Sequence, residues 1–240
     1  AIVVGSWLVA CIVGTFPYLI WGGEFTAINA WFESVSGFTT TGSSVLLSSD
    51  FDKLWAPEAA ELGMRGIFFW RSFTNWIGGM GVLVFVMAFV PLSGGNNLHI
   101  MKAESPGPSV SKLVPKVKTT ALILYLIYIA LTAIQTILLV LGEMNLFEAL
   151  CAAFSTAGTG GFGIKNDSFN SFSSYSQIVV TVFLILFSIN FASYYLILMR
   201  KFKDAFTSEV RCFLGIVLAA IAVITLNTFG MFDSLGEAIK

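Results

Sequence analysis

The chain has 240 residues, of which 56 % are hydrophobic and only 11 % are charged. Soluble domains carry about 25 % charged residues, and the mean hydropathy of this chain, +0.84, is too high for a soluble domain. A bilayer is therefore the expected solvent, which excludes most soluble enzymes and disordered chains. The net charge of −1 gives no reason to expect a nucleic-acid partner.

The first stretch of sequence shows neither an initiator Met nor a signal-peptide pattern. We therefore interpret the chain as an internal segment of a longer membrane protein. The three cysteines, Cys11, Cys151 and Cys212, lie in or beside apolar runs. Their odd number and their spacing indicate neither a disulfide framework nor a metal site.

Five stretches are long enough to cross a bilayer, which takes about 20 apolar residues. Their boundaries by hydropathy predict helices at 2–21, 66–91, 117–141, 176–199 and 210–228.

Two shorter apolar segments, 25–37 and 146–156, are too short to span a membrane, and their length is typical of re-entrant helices. Each leads into a run of Thr, Ser and Gly, at 39–43 and 156–161, which favours helix poorly. Non-helical backbone at membrane depth is tolerated only where it is buried in protein or lines a water-filled cavity. We therefore predict two pore helices, each followed by a filter loop.

The basic residues predict the topology. Eight of the thirteen Lys and Arg residues lie in two segments, 92–118 and 200–211, which the positive-inside rule places in the cytoplasm. The segments 45–65 and 162–175 are then external. Both short helices are therefore expected to enter from the external face.

The same order of elements occurs twice, which predicts an all-α membrane protein of repeated span–re-entrant pore helix–span units, two complete and part of a third. An offset of 119 residues aligns three pairs, namely Ser36 with Ser155, Thr40 with Thr159, and Gly42 with Gly161. The predicted organisation is a first pore repeat at 1–92, a cytoplasmic linker at 93–116, a second pore repeat at 117–200, and at 201–240 a cytoplasmic loop, the first span of a third repeat and the start of its pore helix.

The paired Thr/Gly runs suit an alkali cation. A partly dehydrated K⁺ needs oxygen ligands, which the backbone carbonyls of converging loops can supply. Glycine permits the backbone angles that this requires, and each short helix directs the negative end of its dipole at its loop. The runs hold no carboxylate, His or Cys set that would bind Ca²⁺ or Zn²⁺. An ordinary membrane turn is the alternative for one such run, but two in register favour a filter.

Other conspicuous residues have structural interpretations. Glu33 is expected to form a structural pair, and Arg71 to reach the membrane surface or pair with an external acid. Asn75 is expected to form an interhelical hydrogen bond, with cavity lining as the alternative. The Gly-rich run 78–81 indicates close helix packing, with a gating hinge as the alternative.

These motifs resemble a known family. The sequence AWFESVSGFTTTGS at 30–43 resembles the first filter of the Trk/Ktr/HKT potassium-uptake superfamily, and more specifically that of its TrkH family. The helix at 69–81 is similar to the one that follows this filter, and the segment 102–108 to the linker between repeats. The stretch 153–162 resembles the second filter. The resemblance runs almost from end to end of the chain.

The resemblance implies four span–pore–span repeats around one K⁺ pathway, usually in a homodimer, with a TrkA-like cytosolic nucleotide-binding ring that gates the pore. It implies a multi-pass subunit of a bacterial or archaeal inner (plasma) membrane that transports K⁺, with Na⁺ as the alternative ion and no bound cofactor. In this family, a Gly at the key filter position is associated with a preference for K⁺, and a Ser there with a preference for Na⁺. By position, the implied K⁺ filter residues are Thr39, Thr40, Thr41, Gly42, Gly158, Thr159, Gly160 and Gly161.

Two other classes of function are less well supported by the residues. A solute/cation secondary transporter with re-entrant hairpins also places broken helices at the membrane midplane, but inverted repeats would then be expected. An enzyme is not indicated, because the sequence shows no intramembrane carboxylate pair, Ser/His set or metal motif, and no catalytic residue is assigned.

Overall fold

The structure, a computed structural model, describes residues 2–22, 25–54, 64–81 and 117–228. These ranges contain helices and turns and no strand, which confirms the predicted all-α class. The helices fall into two compact units, Ala1–Ser188 and Ile189–Lys240. In chain order they are α1 (Ile2–Trp21), α2 (Ala27–Phe38), α3 (Ser48–Leu54), α4 (Met64–Met80), α5 (Val117–Leu141), α6 (Leu146–Ala157), α7 (Ser174–Ser188), α8 (Phe191–Leu198), α9 (Phe202–Ala205) and α10 (Ser208–Thr228).

Three of the described helices contain stretches that are long and apolar enough to cross a membrane. These stretches are Val4–Trp21, Leu122–Leu141 and Ser208–Thr228. Helix α4 begins close to the start of the predicted span 66–91, whose residues after Gly81 lie outside the described ranges. The predicted linker 93–116 and the predicted start of a third pore helix also lie outside them.

The predicted span 176–199 is two helices in the structure. Helix α7 ends at Ser188, and α8 begins at Phe191 with Asn190 as its N-cap. The Asn190 side-chain oxygen accepts a hydrogen bond from the backbone N–H of Ala192 at 3.0 Å. Asparagine favours helix starts for this reason. An average over hydropathy does not register one capping residue, so it predicted a single helix.

Side-chain caps fix where the two short helices begin. The Thr26 side chain accepts a hydrogen bond from the N–H of Asn29 at 3.3 Å, so α2 starts at Ala27 rather than at 25. Asn145 and Glu148 form a reciprocal capping box at the start of α6, with bonds of 3.0 and 2.9 Å. Each bond satisfies a backbone N–H of the first turn that has no partner inside the helix.

Helix α4 is the central packing element of the first unit, because it packs against both α2 and α6. The Trp70 indole donates to the Gly14 carbonyl at 3.0 Å, which joins α4 to α1. The Trp76 indole donates to Thr132 Oγ1 at 3.1 Å, and the Tyr128 hydroxyl donates to the Trp76 carbonyl at 2.8 Å, which join α4 to α5. Helix α4 is therefore bonded to helices of both predicted repeats.

The C-terminal end of α4 touches the ends of both short helices. A Cβ on Gly78 would overlap the carbonyl oxygen of Phe38, the last residue of α2. A Cβ on Gly79 would lie 2.7 Å from the Cα of Gly158, just after α6. The absence of side chains is thus what lets three backbones approach here, and the predicted close packing of the run 78–81 is confirmed at these two residues.

Candidate functional site

The two predicted filters lie at the C-terminal ends of the two short helices. Helix α2 ends at Phe38 and α6 ends at Ala157, so the first two residues of the predicted filter 156–161 belong to the last helical turn. Thr39 and Gly158 occupy the C-cap positions. The negative ends of two helix dipoles are therefore directed at the two loops.

Both loops follow the same backbone path. Thr40 and Thr159 have φ angles of 56° and 58°, and Gly42 and Gly161 have φ angles of 76° and 65°. This left-handed region is open to glycine but unusual for a β-branched residue such as threonine. The offset of 119 residues that aligns the two sequences therefore also aligns their backbone conformations.

A serine in the last turn of each helix holds its loop. The Ser36 carbonyl accepts hydrogen bonds from the N–H groups of Thr41 and Gly42 at 3.0 and 3.4 Å. The Ser36 hydroxyl donates to the Ser43 carbonyl at 2.6 Å. The equivalent bonds of Ser155, to Gly160, Gly161 and Phe162, measure 2.8, 3.2 and 2.6 Å.

The direction of these N–H groups fixes the direction of the carbonyls. A trans peptide places its N–H and C=O on opposite sides, and the described residues include no cis peptide bond. Because the N–H groups of Thr41 and Gly42 point back into the last helical turn, the carbonyls of Thr40 and Thr41 point away from it. The same holds in the second loop for the carbonyls of Thr159 and Gly160.

These four carbonyls, called the free carbonyls below, accept no hydrogen bond from any N–H or O–H group within the described ranges. Backbone carbonyls without a protein partner face water or a ligand. Thr41 and Thr159 are exposed, whereas the helical residues before each loop are largely buried. The described ranges hold no group of three His, Cys, Asp or Glu side chains able to bind a metal ion. Among the described residues of this region, the carbonyl oxygens are therefore the groups that could coordinate a cation.

The two loops lie side by side. A Cβ on Gly42 would lie 3.1 Å from Cδ1 of Phe162 and 3.4 Å from the carbonyl oxygen of Gly160. The Gly160 carbonyl, one of the four free carbonyls, is therefore close to the first loop. One free carbonyl of the second loop therefore lies beside the backbone of the first loop.

The Gly42 carbonyl already has a partner. It accepts a hydrogen bond from Nη2 of Arg71 at 2.9 Å. The Arg71 guanidinium also pairs with Glu33, with 3.6 Å between Nε and Oε2. The predicted structural pairing of Glu33 is confirmed. The expectation that Arg71 reaches the membrane surface is wrong, because its side chain is buried and its acidic partner lies within α2.

Asn75 of α4 supports the second loop. Its Nδ2 donates to the Ser155 carbonyl at 3.1 Å, the same oxygen that accepts the two N–H groups of that loop. Asn75 is completely buried, and its predicted interhelical hydrogen bond is confirmed. The sequence could not name the partner, since the two residues lie 80 positions apart.

Comparisons with known proteins identify the family of this chain. The sequence profile of the TrkH family, described as a cation transport protein, matches residues 1–237. The Trk system potassium uptake protein TrkH of Salmonella typhimurium is 32 % identical over 230 residues, which cover 94 % of this chain and 45 % of that protein. The Trk system potassium uptake protein TrkG of Escherichia coli is 34 % identical over 248 residues, with coverages of 99 % and 48 %.

The fold comparison leads to the same family. The crystal structure of the potassium transporter TrkH from Vibrio parahaemolyticus matches with a TM-score of 0.74 at 27 % identity, over 97 % of this chain and 46 % of that chain. The chain thus spans a little under half the length of the relatives it matches. Since the family profile matches nearly every residue and the fold agrees over the same length, the chain belongs to the TrkH family of cation transport proteins.

Proposed function

We propose that this chain forms about half of the K⁺ pathway in the pore-forming subunit of a Trk/Ktr-type potassium uptake system. The observation that carries the proposal is the pair of matched loops at the C-terminal ends of two short helices, which lie side by side and each hold two free carbonyls. The relatives that match the chain are named potassium uptake proteins. Carbonyl oxygens of this kind can replace the hydration shell of K⁺.

Each predicted filter residue has a role in this proposal. The carbonyls of Thr40, Thr41, Thr159 and Gly160 are the ion ligands. The other four residues shape the loops, in that Thr39 and Gly158 end the helices, while Gly42 and Gly161 adopt the left-handed angles that turn each loop. The first and second filters are thus proposed to contribute equivalent oxygens to one path.

The complete protein supplies the rest of the pathway in this proposal. Further pore repeats close the ring, and two copies form a homodimer in the inner (plasma) membrane of a bacterium or archaeon. A TrkA-like nucleotide-binding ring docks on the cytosolic side, at the segments 92–118 and 200–211. Their excess of Lys and Arg supports the cytosolic placement, although anionic lipid is the competing ligand for the same charges.

The full-length protein in liposomes is expected to carry K⁺ faster than Na⁺. The measurement is ion flux under equal gradients of each ion, with protein-free liposomes as the control. Flux down a K⁺ gradient alone supports a pore, because a pore needs no second gradient. Strict dependence on a Na⁺, H⁺ or solute gradient would favour the secondary transporter instead, and the absence of any K⁺ flux would contradict the proposal.

The proposed topology predicts which residues can be labelled from each side. Lys203 and Asp167 are both exposed. The positive-inside rule places Lys203 in the cytoplasm and Asp167 outside the cell. In a Cys212→Ser background, which removes the exposed native thiol, we expect Asp167→Cys to react with a membrane-impermeant maleimide outside intact cells. Lys203→Cys should react only after the membrane is opened. The reverse pattern would show that the topology is wrong.

A further inference from the structure

An ion pair lies buried behind the first loop. The side chains of Glu33 and Arg71 are only 1 % and 6 % exposed. Two charges taken out of water lose much hydration energy, and a buried pair often adds no stability over apolar residues of the same volume. Stability alone therefore does not account for this pair, and its contacts indicate what else it does.

Glu33 fixes the chain where it leaves the first loop. Its Oε1 atom accepts a hydrogen bond from the Ser44 hydroxyl and another from the Val45 N–H, both at 2.6 Å. These residues follow directly on the predicted filter 39–43. Charge-assisted bonds of this length are the stronger kind in proteins, so the exit of the loop is held in one position.

Arg71 touches both loops at once. It donates to the Gly42 carbonyl of the first loop at 2.9 Å, and its Cζ lies 3.7 Å from the ring centroid of Phe162, directly after the second loop. A planar guanidinium can donate in its plane while its face stacks on a ring, whereas a lysine ammonium has no planar face to stack. One side chain therefore ties the two loops together.

Within the described ranges, the second loop has no such ion pair of its own. At the offset of 119 residues, the position of Glu33 in α2 corresponds to Ala152 in α6, which is also buried. The second loop is held instead through the bond from Asn75 to the Ser155 carbonyl. The contact of Arg71 with Phe162 is thus how the ion pair of the first repeat reaches the second.

We propose that Arg71 is a positioning residue that sets the spacing of the two loops and thereby the discrimination between K⁺ and Na⁺. Glu33 neutralises the charge of the guanidinium beside the ion path, while the contacts of Arg71 with Gly42 and Phe162 set its position. This inference rests on the proposed function above. Discrimination between the two ions depends on the arrangement and number of carbonyl ligands, and Arg71 is bonded to the peptide unit next to the free carbonyl of Thr41.

Two substitutions separate spacing from charge. Arg71→Lys keeps the positive charge but loses the planar guanidinium that donates to the Gly42 carbonyl and stacks on the Phe162 ring. The K⁺/Na⁺ flux ratio is therefore expected to fall about tenfold while total cation flux persists. Glu33→Gln keeps the shape and an acceptor for Val45 but leaves the charge of Arg71 unbalanced. K⁺ flux is then expected to fall about tenfold with the ratio retained, because a cation passing nearby is repelled.

The experiment uses the full-length protein in liposomes, with K⁺ and Na⁺ fluxes normalised to the protein that runs as a folded species in gel filtration. Arg65→Lys is the matched control, since Arg65 lies on the same helix and is exposed. It should leave both the ratio and the flux unchanged. A residue with only a structural role would change the amount of folded protein but not the ratio.

A second variant keeps the inference testable if Arg71→Lys does not fold. Phe162→Leu removes the ring under the guanidinium while leaving the ion pair intact, and it should lower the K⁺/Na⁺ ratio in the same direction. Folded variants at both positions with an unchanged ratio would overturn the inference, and so would loss of the folded protein in both. A wild-type protein that carries no K⁺ would contradict the proposed function instead.

Discussion

Gly78→Ala is expected to destabilise the folded protein by about 3 kcal/mol, the upper range for overpacking a tight interior. The added methyl group would overlap the backbone carbonyl of Phe38 and would lie 3.0 Å from Cγ2 of Thr40. Backbone at the end of α2 cannot move aside as a flexible side chain could. Helix α4 would have to withdraw from the first loop. Thermal unfolding of the purified full-length protein in detergent measures the effect.

Gly66→Ala is the matched control for this substitution. Gly66 lies on the same helix, and a Cβ there would meet nothing within 4 Å. Alanine in an open helical position stabilises by about 0.5–1 kcal/mol relative to glycine. The two substitutions are chemically identical and should shift the unfolding temperature in opposite directions. Equal shifts would show that the packing of α4 on the first loop is looser than the structure indicates.

Gly42→Ser is expected to reduce the discrimination of the full-length protein between K⁺ and Na⁺ about tenfold, which corresponds to about 1.4 kcal/mol. Gly42 has a φ angle of 76°, which a side chain adopts only with strain. Its Cβ would also lie 3.1 Å from the Phe162 ring. Both effects turn the loop next to the free carbonyl of Thr41. Competitive flux of the two ions through liposomes measures the ratio.

Gly22→Ser separates backbone strain from the effect on the loops. Gly22 has a nearly equal φ angle of 73°, yet a Cβ there would meet nothing within 4 Å. Gly22→Ser should lower the free energy of unfolding about as much as Gly42→Ser does, without changing the preference between K⁺ and Na⁺.

Gly79→Ser, in the tightly packed run 78–81 of α4, should lower the amount of folded protein more than it changes the K⁺/Na⁺ flux ratio. Unchanged discrimination in Gly42→Ser would leave its loop an ordinary turn and remove the main support for the pore.

The two helix–loop units could be predicted from sequence because their signals are local. A helix too short to span and a Thr/Gly run after it lie within about twenty residues, and helix and turn chemistry act over such distances. The alignment also paired Ser36 with Ser155, whose carbonyls close the two loops in the structure, but it assigned them no role. What the alignment could not show is which carbonyls stay free, since that depends on peptide orientation.

The contacts that tie these units together could not be predicted. The sequence shows Glu33 and Arg71 as two charges in apolar surroundings, and only the fold shows that they pair with each other and that Arg71 reaches Gly42 and Phe162. The break before α8 was missed for a different reason. The N-cap Asn190 starts a new helix within a stretch whose hydropathy is continuous. In both cases the interaction that decides the structure involves one or two polar side chains. A mean hydropathy taken over a window of residues barely changes with so few side chains.

The matched conformations of Thr40 and Thr159 have a consequence for the evolution and engineering of this protein. A β-branched residue in the left-handed region costs about 1 kcal/mol or more at each loop, and glycine would remove that cost. Threonine nevertheless occupies both positions. Under the proposed function, stability and ion handling oppose each other at these two residues. Variants selected only for heat resistance would gain from replacing them with glycine, and such variants would be the ones to test first for impaired transport.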